Sequence, residues 1–360
     1  MRRCAPVLCS TLLLLLVTAL SWAQSQDAAA RTVAVTGASG ITHLKPPHFG
    51  FYGKLLSCGG ISVRAAAAVN DDALLLACQK IQMMLANAPI ARQNLVAKGA
   101  ELHIIGASQN DSDLPEHRYQ RGEAYVDSLG HTTDIDKRTR GVGGVYSSCG
   151  EENLLHLPSD RYKNGFDICM HEFAHDIMDN GFDPAIQQEI ARVYHSSIGK
   201  GLWRGAYAAV NPQEYFAELS TWYFGARGNY VHDQEPAAGP DGLRAYDPDG
   251  YALLNSLYGG SIQPALAYML VAKHAHPGEV SGVGTSPAQL VLVNNTRERY
   301  QLLWVSSTGA TTVYGKLEPY SRFAVNTSIS HVWEVKDATG QPAARFLVSA
   351  PESLATIDVR

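Results

Sequence analysis

In the stretch "GFDICMHEFAHDIMDNGF", residues 165–182, His171, Glu172 and His175 fall in the order H-E-x-x-H. Two histidines four residues apart share one helical face, one turn above the other. Both imidazoles can therefore bind one zinc ion. Glu172 projects about 100° around the helix from His171, too far to be an equal third ligand but close to a water on the metal. Zinc lowers the pKa of that water, and a neighbouring carboxylate can take its proton and later pass it to a leaving amine. The same five residues also fit an ordinary amphipathic helix with two hydrogen-bonded histidines, and the rest of the chain has to decide between the two.

A third ligand is the first requirement. The H-E-x-x-H-x-x-G-x-x-H form fails, because Met178 and Gly181 occupy its last two key positions. His195 lies twenty residues beyond His175, with nothing around it that suggests a ligand. Glu214, in "NPQEYFAELS", is the better candidate, and Glu218 follows one turn later on the same face. One of the two would bind the ion, and the other would orient a ligand histidine. Asn211 and Glu214 also have the spacing of a helix capping box, which would explain Glu214 without any metal.

"HEFAH" followed by "EYFAE" resembles the catalytic domain of the lethal-factor-like zinc metallopeptidases, over roughly residues 165–225. The resemblance implies a zinc cofactor held by His171, His175 and Glu214, with Glu218 behind the ligands. It also implies a hydrogen-bond donor to the reaction's oxyanion from Tyr207, seven residues before Glu214. Upstream, the glycine-rich and then acidic "RGVGGVYSSCGEEN" reads as a structural loop in which Glu151, Glu152 and Asn153 could also reach the cleft, and "DKRTRG" reads as a basic turn.

The elements that must position these residues are readable. Residues 70–89 predict a helix capped by Asn70 or Asp71 and stopped at Pro89; 101–107 predict a buried strand. Helices are expected from Pro184 to Gly199 and from Pro212 onward, the second capped by Asn211. The run from Ile262 to Ala272 reads as a core helix. After a linker at residues 276–287, six short β-rich runs predict a small sandwich. The expected fold class is α+β: a zincin-like mixed helix and strand domain over residues 24–280, then a β-sandwich over 286–360.

The segment after Pro287 is similar to the von Hippel–Lindau-type β domain through "LVNNTRERYQLLWVSSTG", "YGKLEPYSRF" and "SHVWEVKDATG". That resemblance implies a hydroxyproline pocket made of Trp304, Tyr314, Thr327, His331 and Trp333. His331 and Trp333 are two apart in a strand, so they share a face. Read without the family, the same aromatics fit sandwich core.

The chain's 46% hydrophobic content and net charge of −5 give no basic surface for nucleic acid. Arg2 and Arg3, an apolar run from Leu12 to Leu20 and the small-x-small Ser21-Trp22-Ala23 read as a cleaved secretory signal over residues 1–23. No later run is long enough to span a membrane. Cleavage would leave Cys58, Cys78, Cys149 and Cys169. An even count in a secreted chain favours two disulfides, and of three pairings Cys58–Cys78 with Cys149–Cys169 is the simplest. Sequons at Asn110, Asn294 and Asn326 fit secretion as a glycoprotein. The expected function is a secreted zinc metalloendopeptidase acting on protein or peptide substrates, among them hydroxyproline-rich extracellular proteins. The competing expectation is a secreted binding or adhesion protein with a structural zinc. Glu172 separates the two, because a purely structural site has no use for it.

Overall fold

Ile61, Val63 and Ala65 alternate with polar neighbours, and all three are fully buried in a central strand. The computed structural model describes residues 33–358, apart from 38, 128, 163–164, 229–235 and 285. The expected signal segment, residues 1–23, lies outside them.

Strands β1 (Val33–Thr36), β2 (Thr42–His48), β3 (Tyr52–Cys58) and β4 (Ile61–Ala66) form an antiparallel meander. Helices α1 (Asp71–Met84) and α2 (Pro89–Ala97) then return the chain so that β5 (Glu101–Ile105) lies parallel to β4. The Asn70 side chain accepts from the Asp72 amide and starts α1; Pro89 opens α2. Strands β6 (Tyr125–Val126) and β7 (Thr132–Thr133) make a separate hairpin, followed by the single-turn α3 (Ile135–Arg138). β8 (Gly141–Val142) turns back antiparallel onto β9 (Tyr146–Gly150), and β9 runs parallel to β5. The resulting order is β1-β2-β3-β4-β5-β9-β8, with β8 at the edge.

After α4 (Glu151–Leu154), α5 (Ile168–Asp176) carries the histidine motif. It is capped by Asp167, whose carboxylate accepts from the Met170 amide. A π-turn at Ile177–Gly181 ends it. α6 (Pro184–Gly199) and α7 (Pro212–Tyr223) begin at the expected prolines, and Asp183 and Asn211 cap them. α8 (Pro240–Tyr246) and α9 (Pro248–Tyr258) complete this part. Leu74, Ile81, Phe173, Phe216 and Trp222 bury one apolar cluster between these helices and the sheet.

The remaining strands are β10 (Met269–Val271), β11 (Lys273–His274), β12 (Pro287–Asn294), β13 (Tyr300–Val305), β14 (Thr311–Leu317), β15 (Arg322–Ser328), β16 (Val332–Lys336), β17 (Pro342–Leu347) and β18 (Glu352–Ile357). They form two sheets, ordered β10-β18-β12-β15 and β11-β17-β16-β13-β14. Leu290, Val325 and Ala355 of the first share an apolar cluster with Leu302, Val335 and Phe346 of the second.

One expectation is corrected here. Residues 262–272 form no helix: Pro264 removes a backbone donor, Leu266 and Tyr268 stay exposed, and β10 pairs in parallel with β18. β10 and β11 precede the expected boundary at 280–286 and pair with strands of the C-terminal sheets. The strand β18 escaped the sequence reading because "ESLATI" buries only Ser353, Ala355 and Ile357, a weak apolar alternation.

The cysteine pairs Cys58–Cys78 and Cys149–Cys169 stand at disulfide distance, with Cα separations of 5.4 and 5.1 Å. The second ties β9 to α5 beside the histidines. Among the described residues no helix is long and apolar enough to cross a membrane. Asn110 and Asn326 are exposed, but Asn294 is fully buried and its amide donates to the carbonyls of Glu298 and Glu318, so in this fold it serves as a structural residue.

Candidate metal centre and active site

α5 lies between β9 and α7, which brings the histidine face of one helix against Glu214 of the other. His171 Nε2 is 3.2 Å from His175 Nε2 and 3.2 Å from Glu214 Oε2, and His175 Nε2 is 3.3 Å from the same oxygen. Three tetrahedral ligands about 2.0–2.1 Å from a zinc ion stand roughly 3.3–3.4 Å apart. The nearly equilateral triangle of donors fits that requirement. Glu214 Oε2 is also buried without a hydrogen-bond donor, an arrangement a cation would satisfy. His195 is exposed on α6 and takes no part.

The two explanations of Glu214 hold together. Its backbone amide donates to Asn211 Oδ1 at 2.7 Å, which is the cap, while its carboxylate turns to the histidines. Glu218, one turn on and almost fully buried, places Oε1 3.2 Å from His171 Nδ1. That leaves Nε2 as the nitrogen aimed at the triangle. Burial alone would lower the pKa of His171, but Glu214 and Glu218 outweigh it and hold it well above the usual value. Burial likewise works to raise Glu214, yet His171 and His175 pull it far below the carboxylate range. Glu172 shows the opposite balance, its burial keeping the carboxyl above the usual value.

A cavity of about 360 Å³ opens over these groups, and Glu172, Tyr207, Tyr125 and the Gly143–Gly144 backbone line it. The Tyr207 hydroxyl donates to Glu214 Oε1 at 3.1 Å, and Arg138 Nη2 lies 3.5 Å from that hydroxyl. Arg138 is anchored in turn by Asp127, 2.9 Å from its Nε. The loop Asp127 belongs to is closed by its own carboxylate, which accepts from the amides of Leu129 and His131.

Sequence reasoning missed Arg138, Asp127 and Tyr125, whose spacing carries no motif. It also read the glycine-rich run as a loop only. A Cβ on Gly143 would stand 2.8 Å from His175 Cβ, and one on Gly141 would stand 2.9 Å from Glu172 Cγ. These glycines let the β8 edge close onto α5, and their clustering was the available clue. Glu151, Glu152 and Asn153 are structural. Glu151 accepts from the amides of Asn70 and Ala107, Glu152 pairs with Arg140, and Asn153 binds Asp160 and the Phe166 carbonyl.

The five C-terminal candidates converge. Trp304 and Trp333 are register partners; Trp304 lies 5.5 Å from His331 between ring centres, and Tyr314 meets Trp333 edge-on at 4.9 Å. Trp333 Nε1 donates to Thr327 Oγ1 at 3.0 Å, and that oxygen is 3.1 Å from His331 Nδ1. Trp333 is buried in the apolar cluster, whereas Tyr314 is 54% exposed. Trp333 thus forms floor rather than rim. Gly284 abuts His331 and Ser328 where any Cβ would collide.

No protein-family model and no curated protein sequence matches the chain, so the functional argument rests on the site.

Proposed function

We propose that the protein is a secreted zinc metalloendopeptidase of zincin-like architecture, with a C-terminal β-sandwich that docks hydroxyproline-containing protein substrates. The observation that carries the reading is the donor triangle of His171, His175 and Glu214, with buried Glu172 on the wall of an open cavity. A structural zinc site is closed by four protein ligands. Here three donors meet beside a cavity of substrate size.

Zinc, when bound, supplies an acidified water and a Lewis acid for the scissile carbonyl. Glu172, on the cavity wall, would take a proton from the attacking water and pass it to the departing amine. Tyr207 turns its hydroxyl from Glu214 toward the developing oxyanion. Glu218 keeps the His171 ring in place, and the Asp127–Arg138 pair holds the wall beside Tyr207. The β8 edge, brought close by Gly141 and Gly143, gives an extended peptide a backbone partner.

Docking of hydroxyproline is supported by the ring of Trp304 and Tyr314 around Thr327 and His331, which offers apolar contact to a pyrrolidine and polar contact to its hydroxyl. The two cysteine pairs fit an oxidising compartment.

Metal analysis and peptide hydrolysis by the purified protein test the reading. One zinc per chain and zinc-dependent cleavage are expected. A protein that binds no zinc at micromolar concentration would refute it.

A further inference from the structure

We infer that one extended substrate chain occupies the zinc cavity together with a second groove, walled by the segment leading into β6 on one side and by the C-terminal sheets on the other. This rests on the peptidase reading above. The groove encloses about 490 Å³. Tyr119, Ala124 and Tyr125 form one wall; Arg299, Lys316 and Glu318 form the other. Tyr125 also lines the zinc cavity, so the two spaces adjoin at this residue.

The C-terminal sheets that carry one wall are tied to the seven-stranded sheet. Arg322 of β15 donates to the Lys98 carbonyl, lies 3.1 Å from the Tyr146 hydroxyl and sits 5.0 Å over the Tyr146 ring. Phe49 stacks on Tyr320 at 4.3 Å. The C-terminal sheets are therefore fixed against the seven-stranded sheet at two places.

Its chemistry suits an extended polar chain. Arg299 and Glu318 pair at 2.6 Å, Lys316 is exposed, and Tyr119 offers a ring face to solvent. β14, which carries Lys316, is the outermost strand of its sheet. Its outer backbone groups can pair with an added extended segment. Two modest sites on one chain strengthen each other through effective concentrations on the order of millimolar.

The test blocks the groove without touching the cavity. Ala124 is exposed, and Ala124→Trp fills the space beside it, with Ala124→Ser as control. The full-length, zinc-loaded protein is titrated with a hydroxyproline-rich peptide of about 24 residues, roughly 80 Å when extended, and with its central fragment of about eight residues. Affinity is read on the Glu172→Gln background, and kcat/KM with Glu172 intact. Ala124→Trp is expected to weaken the long peptide at least about tenfold in Kd and to leave the short fragment unchanged in both Kd and kcat/KM. Unaltered affinity for the long peptide, equal weakening of both, or binding of neither overturns the inference. Failure of the intact protein to cleave either peptide counts against the peptidase reading instead, and the Kd comparison still decides the groove.

Discussion

The Tyr207 hydroxyl donates to Glu214, 3.1 Å away, through the carboxylate oxygen that is not part of the donor triangle. One carboxylate thus divides its oxygens between two duties: Oε2 faces the histidines and Oε1 parks the phenol. Tyr207→Phe removes the phenol's hydrogen bond and leaves the triangle. We expect the zinc content to hold and kcat to fall roughly 10²–10³-fold, the usual loss for one oxyanion donor. Steady-state kinetics beside metal analysis would show it, and an unchanged kcat would take Tyr207 out of the chemistry.

Glu172→Gln should abolish turnover, by about 10²-fold or more, at normal metal content. Glutamine keeps the shape of the side chain but cannot carry the proton.

The two carboxylates of α7 should separate cleanly. Glu214→Ala removes a corner of the triangle and should lose the metal. Glu218→Ala releases the His171 ring and should weaken zinc binding about 10–100-fold. Competition with a chromogenic chelator measures both, and a reversed order would mean that the helix presents the other glutamate to the ion.

Gly143→Ala should lower both zinc affinity and kcat/KM, because the added methyl would stand 2.8 Å from His175 Cβ. A variant with wild-type zinc affinity and activity would show that the β8 edge shifts freely.

Stability should depend on pH through His103. It is almost fully buried, between Glu116 and Glu101 and 2.9 Å from the Tyr52 hydroxyl. Burial would lower its pKa, but the two carboxylates outweigh that and push it up to about 9. A group raised in the folded state stabilises fully below its unfolded pKa, near 6.5, and the contribution is lost as pH rises through 9. The loss is at most about 3.5 kcal/mol, at about 1.4 kcal/mol per unit. Glu101 is pulled down to about 2, with burial opposing and His103 and Arg64 outweighing it. Its contribution is present above about pH 4.5 and is lost as pH falls through 2. Calorimetric melting should therefore show a decline from pH 6.5 to 9 that is absent in His103→Gln.

The parts of the molecule legible in sequence were local. Asn70 and Asn211 each bond an amide two or three residues on, so their caps could be read from neighbouring letters. The spacing of His171 and His175 is likewise set by one helical turn. Glu214 needed the second helix, and there a family resemblance supplied what spacing could not. The Arg138–Tyr207 contact joins residues 69 apart, and Tyr125 reaches the cavity from a hairpin of its own. Nothing in either neighbourhood marks those encounters, because they depend on how β8, β9 and α5 stack. The pairing of β10 with β18 was hidden for the same reason.

That last pairing bears on how the chain can be handled as an engineering object. β10 comes before the linker, yet it is hydrogen-bonded to the final strand of the chain. Scissors placed at residue 286 would part β10 and β11 from their partners β18 and β17, and would leave the C-terminal piece short of a strand in each sheet. Neither piece cut at that point is therefore a good candidate for a self-standing module. Grafts and truncations are better cut before residue 269, where the chain has not yet committed to either sheet.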